Sequence, residues 1–156
     1  MIIQANAADF AALLSSRAPR GLRLVPDSVI APLEVLQMLG DLAARIALSF
    51  EPSAWLVVEN DEVVGLCSAV RVPTDGELHI GYGVAPSRQG GGAATGAIAS
   101  LVAWARMDRR VERITANTAV DNIPSQKVLE RNCFGRIGND IDPDDGPVIC
   151  WELRLT

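Results

Sequence analysis

With 156 residues, 49% of them hydrophobic and 21% charged, the chain has the balance of one globular domain over 1–156, and no apolar run is long enough to cross a bilayer. A net charge of −5 lacks the basic footprint of a nucleic-acid binder and is compatible with a cationic substrate. Cys67, Cys133 and Cys150 form no CxxC pair and there is one histidine, so neither a disulfide framework nor a metal site is expected.

The first residues, Met1-Ile2-Ile3-Gln4, carry no basic region and no sustained apolar stretch, which predicts a cytoplasmic protein without a signal peptide or membrane partner. Residues 8–14, after Asn6, predict a short helix closed by Pro19-Arg20-Gly21. Residues 21–26 alternate apolar and polar side chains between two breakers, as a strand does. Pro32 opens a stronger helix in which Leu36, Leu39, Ala43, Ile46 and Phe50 recur at intervals of three and four, ending at Glu51-Pro52-Ser53. Residues 55–58 and 63–67 flank the hairpin residues Asn60 and Asp61 and predict an antiparallel pair. The second run continues towards Val72, and after the turn Pro73-Thr74-Asp75-Gly76 a third run covers 77–84. Alternation puts Glu77, His79, Gly81 and Gly83 on one face and Leu78, Ile80, Tyr82 and Val84 on the other.

That third run feeds Pro86, three consecutive glycines (Gly90, Gly91, Gly92) and an Ala-rich segment with Ala94, Ile98, Leu101 and Ala105 at helical spacing, ending near Arg106. Strand, glycine loop and helix in this order make a seat for phosphate, because bare backbone and free helical N–H groups converge there. A strand over 113–118 completes a βαβ unit with an expected right-handed crossover. A helix over 124–132 follows the capping residues Asp121 and Asn122, and 148–153 is the final strand. Asp140-x-Asp142-x-Asp144 starts like a calcium loop. Asp145 at position six and Trp151 at position twelve break that pattern, leaving a solvated hairpin loop.

The loop is not a dinucleotide fingerprint, since Thr95 occupies the last glycine position, and not a Walker loop, since no Lys follows the glycines. It resembles the acyl-coenzyme A loop of the GNAT superfamily of N-acetyltransferases, [Gln/Arg]xxGx[Gly/Ala], with Gln89, Gly92 and Ala94 in the three fixed places and Thr95 following. Upstream, His79-Ile80-Gly81-Tyr82-Gly83-Val84-Ala85-Pro86 is similar to the family's IGYxVxP strand. Downstream, Asn122-Ile123-Pro124-Ser125 with Val128-Leu129-Glu130-Arg131-Asn132-Cys133-Phe134 resembles its NxxS…VLExxGF helix. Ser125 and Leu129 at those places point to the branch of the ribosomal-protein N-terminal acetyltransferases. The likeness covers about 54–135 and departs at two places. His79 stands where many relatives carry Glu, and Cys133 replaces the Gly of GF, so Asn132 is expected to take the left-handed helix end.

The resemblance implies an α/β domain, a GNAT-like mixed sheet of six or seven strands with helices on both faces, and acetyl-CoA as co-substrate. Its function would be acetyl transfer to a primary amine of a peptide or small molecule by direct attack in a ternary complex. The alternative is a catalytically weak coenzyme A binding or sensing module. By the same likeness, the Val84 N–H polarises the thioester carbonyl, Ala85 and Pro86 flank the pantetheine, and the backbone of Gly90, Gly91, Gly92, Ala93 and Ala94, between Gln89 and Thr95, holds the pyrophosphate. Asn122 contacts the pantetheine arm or fixes the adjacent loop. Ser125 serves the leaving thiolate, because the place where many relatives carry a Tyr is Leu129; helix capping is its competing role. His79, the only side chain whose ordinary pKa lies near 7, is the expected general base, with Glu77 orienting it or taking its place. A partly buried strand histidine satisfied by a carbonyl is the structural alternative. The acceptor stays open among peptide N-termini, lysine, aminoglycosides, polyamines and small amines, and a homodimer is admitted.

Overall fold

Eight strands form one mixed sheet in the computed structural model, which describes residues 1–155. In chain order the elements are β1 (Ile2–Gln4), α1 (Ala7–Leu14), β2 (Arg23–Leu24), α2 (Leu33–Ala47), β3 (Ala54–Glu59), β4 (Glu62–Ala69), β5 (Glu77–Val84) and α3 (Ala93–Arg106). Then come β6 (Arg113–Ala119), α4 (Ile123–Arg131), β7 (Gly135–Asp142) and β8 (Gly146–Arg154). The strand order is β1-β3-β4-β5-β6-β8-β7, with β2 pairing β4 from off this path. Pairing is antiparallel except for β5 with β6 and β2 with β4.

The alternation of side chains sorts the helices onto two faces. Leu56, Val58, Val63 and Leu66 pack against Phe10 and Leu13 of α1 and Leu36 and Ala43 of α2. On the other face, Leu78 and Ile80 of β5 meet Ile98 and Leu101 of α3 and Val128 and Leu129 of α4. The β3–β4 turn is made by Asn60 and Asp61, both left-handed (φ 51° and 62°), as the sequence expects of a two-residue hairpin.

The strand count exceeds the expected six or seven because β1, β2 and β7 are short or polar. β1 pairs residue for residue with Trp55, Leu56 and Val57, but three residues carry too little pattern to be read alone. The stretch 21–26 contracts to the two-residue β2. The Asp-rich stretch is β7 and its hairpin. β7 is an edge strand paired only with β8 and exposed almost throughout, so no apolar alternation marks it. In the hairpin, Asp142 Oδ1 accepts the N–H groups of Asp144 and Asp145, a role that needs no cation.

The end of α4 also differs from expectation. Cys133 itself is left-handed (φ 68°), whereas Asn132 has φ −98°. The Phe134 N–H reaches back to the Leu129 carbonyl at 3.0 Å, closing the turn around Cys133. Asn132 spends its side chain on tertiary contacts, donating from Nδ2 to the carbonyls of Thr95 (3.2 Å) and Val128 (2.9 Å).

Candidate active site

The sheet opens at β5. Its parallel pairing with β6 runs from Glu77 opposite Arg113 to Ile80 opposite Ala116 and stops there, while both strands continue. β6 stays paired with β8 as far as Ala119 opposite Val148, and β5 stays paired with β4 as far as Val84 opposite Gly65. The two middle strands therefore part beyond Ile80. The Ala85 N–H donates to the Val64 carbonyl at 2.7 Å, so strand alternation turns the amides of Tyr82 and Val84 the other way, into the opening.

A cleft of about 510 Å³ fills the split, running from Tyr82, Gly83 and Val84 to the start of α3 and walled by α4. At its far end Gly90 and Gly92 are left-handed (φ 82° and 86°), and among the described residues no heavy atom lies within 4 Å of where a Cβ on either would stand. No side chain among the described residues caps α3, and its first internal bond runs from the Gly96 N–H to the Gly92 carbonyl. The amides of Ala93, Ala94 and Thr95 are thus free and face the cleft with the positive end of the helix dipole. By contrast, α1 has a full capping box on Asn6 and Asp9.

On the α4 wall, Asn122 Oδ1 accepts the Ser125 N–H at 3.2 Å and caps the helix. This settles which of the two residues caps: Asn122 does, and the Ser125 hydroxyl is left for something else. Ser125 Oγ lies 2.9 Å from the Tyr82 hydroxyl, which also donates to the Ser125 carbonyl at 3.0 Å. Burial pushes the Tyr82 phenol up to about 12, against the lowering effect of the Ser125 bond, so it keeps its proton.

His79 and Glu77 lie on the other face of β5. His79 is buried, with Nδ1 2.8 Å from Thr115 Oγ1; the other ring nitrogen has no partner among the described residues and is not sealed from solvent. Burial lowers its pKa, the Arg71 charge lowers it further, and Glu77 opposes both. The side chain that orients the ring is Thr115, not Glu77. The Glu77 carboxylate accepts from Arg71 and stands 3.9 Å from Arg113, and the Arg71 bond holds its pKa below the usual range.

Of the twelve residues expected to hold the cofactor, Val84, Gln89, Gly90, Gly92, Ala93 and Ala94 line the cleft, as do Thr95, Asn122 and Ser125. Gln89 donates from Nε2 to the Val84 carbonyl at 3.2 Å, tying the loop to the strand end. Ala85 is fully buried against Val57, Val64 and Ala97, and neither it nor Pro86 nor Gly91 lines the cleft. His79 and Glu77 do not line it either. The sequence reasoning passed over Tyr82, Arg88, Lys127 and Arg131, all of which do. Ile123, Lys127 and Arg131 recur every four residues on α4, a helical spacing that marks one face. Arg88 sits on Glu62 at 3.2 Å. Among the described residues no group of three or more His, Cys, Asp or Glu is placed to hold a metal ion, and no helix is long and apolar enough to cross a membrane.

Known proteins resemble this chain in sequence and in fold. The chain is 35% identical over 84 residues, 52% of its length, to the uncharacterized N-acetyltransferase YjdG of Bacillus subtilis (strain 168). It is 29% identical over 111 residues, 67% of its length, to the uncharacterized N-acetyltransferase p20 of Bacillus licheniformis. It spans about half the length of these curated relatives, 50% and 58% respectively. Among solved structures, RimJ of Mycobacterium smegmatis in complex with CoA-disulfide superposes with a TM-score of 0.71 at 20% identity, over 98% of this chain and 80% of that one. The aminoglycoside acetyltransferase AAC(6')-Ib in complex with coenzyme A gives 0.70 at 19%, over 99% and 94%. The spermidine N-acetyltransferase SpeG of Vibrio cholerae gives 0.71 at 15%, over 99% and 95%. These likenesses show the same mixed α/β fold. The family model for the acetyltransferase (GNAT) domain matches residues 2–134, and on that match the chain belongs to the GNAT acetyltransferase family.

Proposed function

We propose that the protein is an acetyl-CoA-dependent N-acetyltransferase that acetylates a primary amine of a small molecule or peptide by direct attack in a ternary complex. The observation that carries this is the split at β5. It points the Val84 N–H into a cleft whose other end is the uncapped N-terminus of α3, beyond two glycines with open space around them. A pyrophosphate fits that end, because free amides and the helix dipole converge on it and no side chain already fills it. A thioester arm fits the split, where unpaired strand amides replace the lost β6 pairing.

Bound acetyl-CoA supplies the acetyl thioester: the amine nitrogen forms the new C–N bond, the C–S bond breaks, and the sulfur leaves with the electron pair. The Val84 amide donates to the carbonyl oxygen as it gains charge. His79 takes the amine proton on Nε2, directly or through water, while Nδ1–H donates to Thr115 and fixes the tautomer. Because burial lowers its pKa, His79 is neutral and ready as a base even on the acid side of an ordinary histidine. Glu77, engaged by Arg71, acts on His79 through its charge. Ser125 donates to the departing sulfur.

The acceptor class draws support from the neighbours. AAC(6')-Ib is seen with ribostamycin and with kanamycin, SpeG acts on spermidine, and RimJ is the neighbour that fits a ribosomal-protein branch. Release of free thiol from acetyl-CoA, measured with a panel of aminoglycosides, polyamines and peptides, tests the proposal. Turnover with one acceptor class is expected. Acetyl-CoA binding without turnover on any amine would favour the coenzyme A sensing module, and no binding would remove both.

A further inference from the structure

We propose that Tyr82 is a positioning residue for the acyl transfer: its hydroxyl donates to Ser125 Oγ and so turns the Ser125 proton toward the sulfur of the bound thioester. The inference rests on the acetyl-CoA reading of the cleft. It starts from a side chain that crosses the split. Tyr82 lies on β5 two residues beyond the last β6 pair, and its hydroxyl reaches α4, 2.9 Å from Ser125 Oγ and 3.0 Å from the Ser125 carbonyl oxygen.

Three observations give the contact a direction. Ser125 Oγ has no capping duty, because Asn122 accepts the Ser125 N–H. Tyr82 and Ser125 both line the cleft, so the second side of Oγ faces the ligand space. Tyr82 retains its proton far above neutral pH and is a permanent donor. A serine hydroxyl accepts two bonds and donates one. With Tyr82 donating to Oγ, the serine proton has no other partner among the described residues and is free for the sulfur. When Tyr82 donates to the Ser125 carbonyl instead, the serine proton rests on the phenol oxygen. Growing negative charge on sulfur turns the serine O–H toward it, and the tyrosine O–H turns from the carbonyl to Oγ, by hydroxyl rotation without heavy-atom movement. No proton leaves Tyr82 or Ser125: the amine proton goes to the base, and the sulfur keeps its electron pair under a hydrogen bond. Tyr82 thereby supplies from β5 a phenol on the α4 wall, where Leu129 is fully buried in the core.

The test uses the full chain and free coenzyme A, whose thiol is titrated in the bound state by the ultraviolet absorbance of the thiolate. In the wild type the bound thiol should ionise about tenfold more readily than in solution, the order of effect of one hydrogen bond to a charged atom. Tyr82→Phe and Ser125→Ala should each remove that shift, the double variant should remove no more than either, and Ser125→Thr should restore most of it. Coenzyme A affinity at a pH where the thiol is protonated, and the melting temperature of Tyr82→Phe, should stay near wild type. With an acceptor in hand, Tyr82→Phe should lower kcat about tenfold at unchanged KM for acetyl-CoA. A wild-type thiol shift in Tyr82→Phe overturns the proposal, as does a loss of melting temperature and affinity with the shift intact. A shift without turnover would remove the enzymatic reading and with it the acyl-transfer role, leaving standing the orientation of Ser125 by Tyr82 toward the bound sulfur, whereas failure to bind coenzyme A would remove both.

Discussion

A Cβ on Gly65 would overlap the carbonyl oxygen of Gly83, so β4 and β5 approach each other there with no room for a side chain. The contact sits beside the β3–β4 register shift at Val57/Val58 and opposite Val84, the residue whose amide points into the split. Close approach to β4 on one side and loss of β6 on the other together aim that amide. Gly65→Ala should therefore destabilise the fold by ~1–3 kcal/mol, as overpacking does, and weaken acetyl-CoA binding by displacing Val84. Gly83→Ala, whose Cβ meets nothing within 4 Å, should leave stability nearly unchanged. Denaturant unfolding and equilibrium binding on the two variants check this.

Gly92 ends the loop in a left-handed conformation at the uncapped start of α3. Gly92→Ala should cost ~1–2 kcal/mol of stability from backbone strain and bind acetyl-CoA with reduced affinity. Gly92→Glu adds a carboxylate to the proposed pyrophosphate seat and should abolish binding while the fold persists. Calorimetric titration with acetyl-CoA beside circular dichroism distinguishes lost binding from lost structure.

Asn122 and Ser125 should separate cleanly in stability and function. Asn122→Ala removes the N-cap of α4 and should cost ~1 kcal/mol in unfolding free energy. Ser125→Ala leaves the cap intact and should alter the melting temperature less, while lowering kcat more. Thermal denaturation and thiol-release assays on the two variants provide the comparison.

As the proposed base, His79 should couple both rate and stability to pH. Its folded pKa lies below the ordinary value near 6.5, so in acid the unfolded chain binds a proton that the folded one refuses. The contribution is complete above the ordinary value. It declines as pH falls from there to the depressed folded value, and is level below it. His79→Gln should flatten that decline in unfolding free energy against pH. It should also lower kcat/KM by about 100-fold or more and erase the acid limb of its pH profile, which in the wild type should lie below the ordinary histidine value.

Glu77→Gln should keep most of the activity, within about threefold, because the carboxylate is tied to Arg71 and does not touch His79. Its lost charge removes the one influence that raises the His79 pKa, so the acid limb should move to lower pH. A pH profile of kcat/KM reads both effects.

The strand-to-glycine-loop junction was legible before folding because it is local. Proline and glycine positions, period-two alternation in β5 and helical spacing in α3 all act over a few residues, and Asn60-Asp61 announced its hairpin in the same way. β1, β2 and β7 were not legible, being short strands or an exposed edge whose existence depends on the partner they pair with. Cys133, not Asn132, takes the left-handed helix end, and the Asn132 side chain instead donates to Thr95, 37 residues away, a partner no local pattern announces.

The same division runs through the site. The sequence by itself determined the loop half of the cleft, the half proposed to seat the pyrophosphate, since that half is backbone: glycines, free amides and a helix start, all contiguous in the chain. Only the tertiary structure decided the chemical half. Tyr82 meets Ser125 across 43 residues and His79 meets Thr115 across 36, while Arg71 claims the Glu77 carboxylate. Direction, burial and competing partners belong to the packed sheet, and they part the three residues named together in the sequence: His79 and Glu77 stay on one face of β5, while Ser125 stands on α4 across the opposite face.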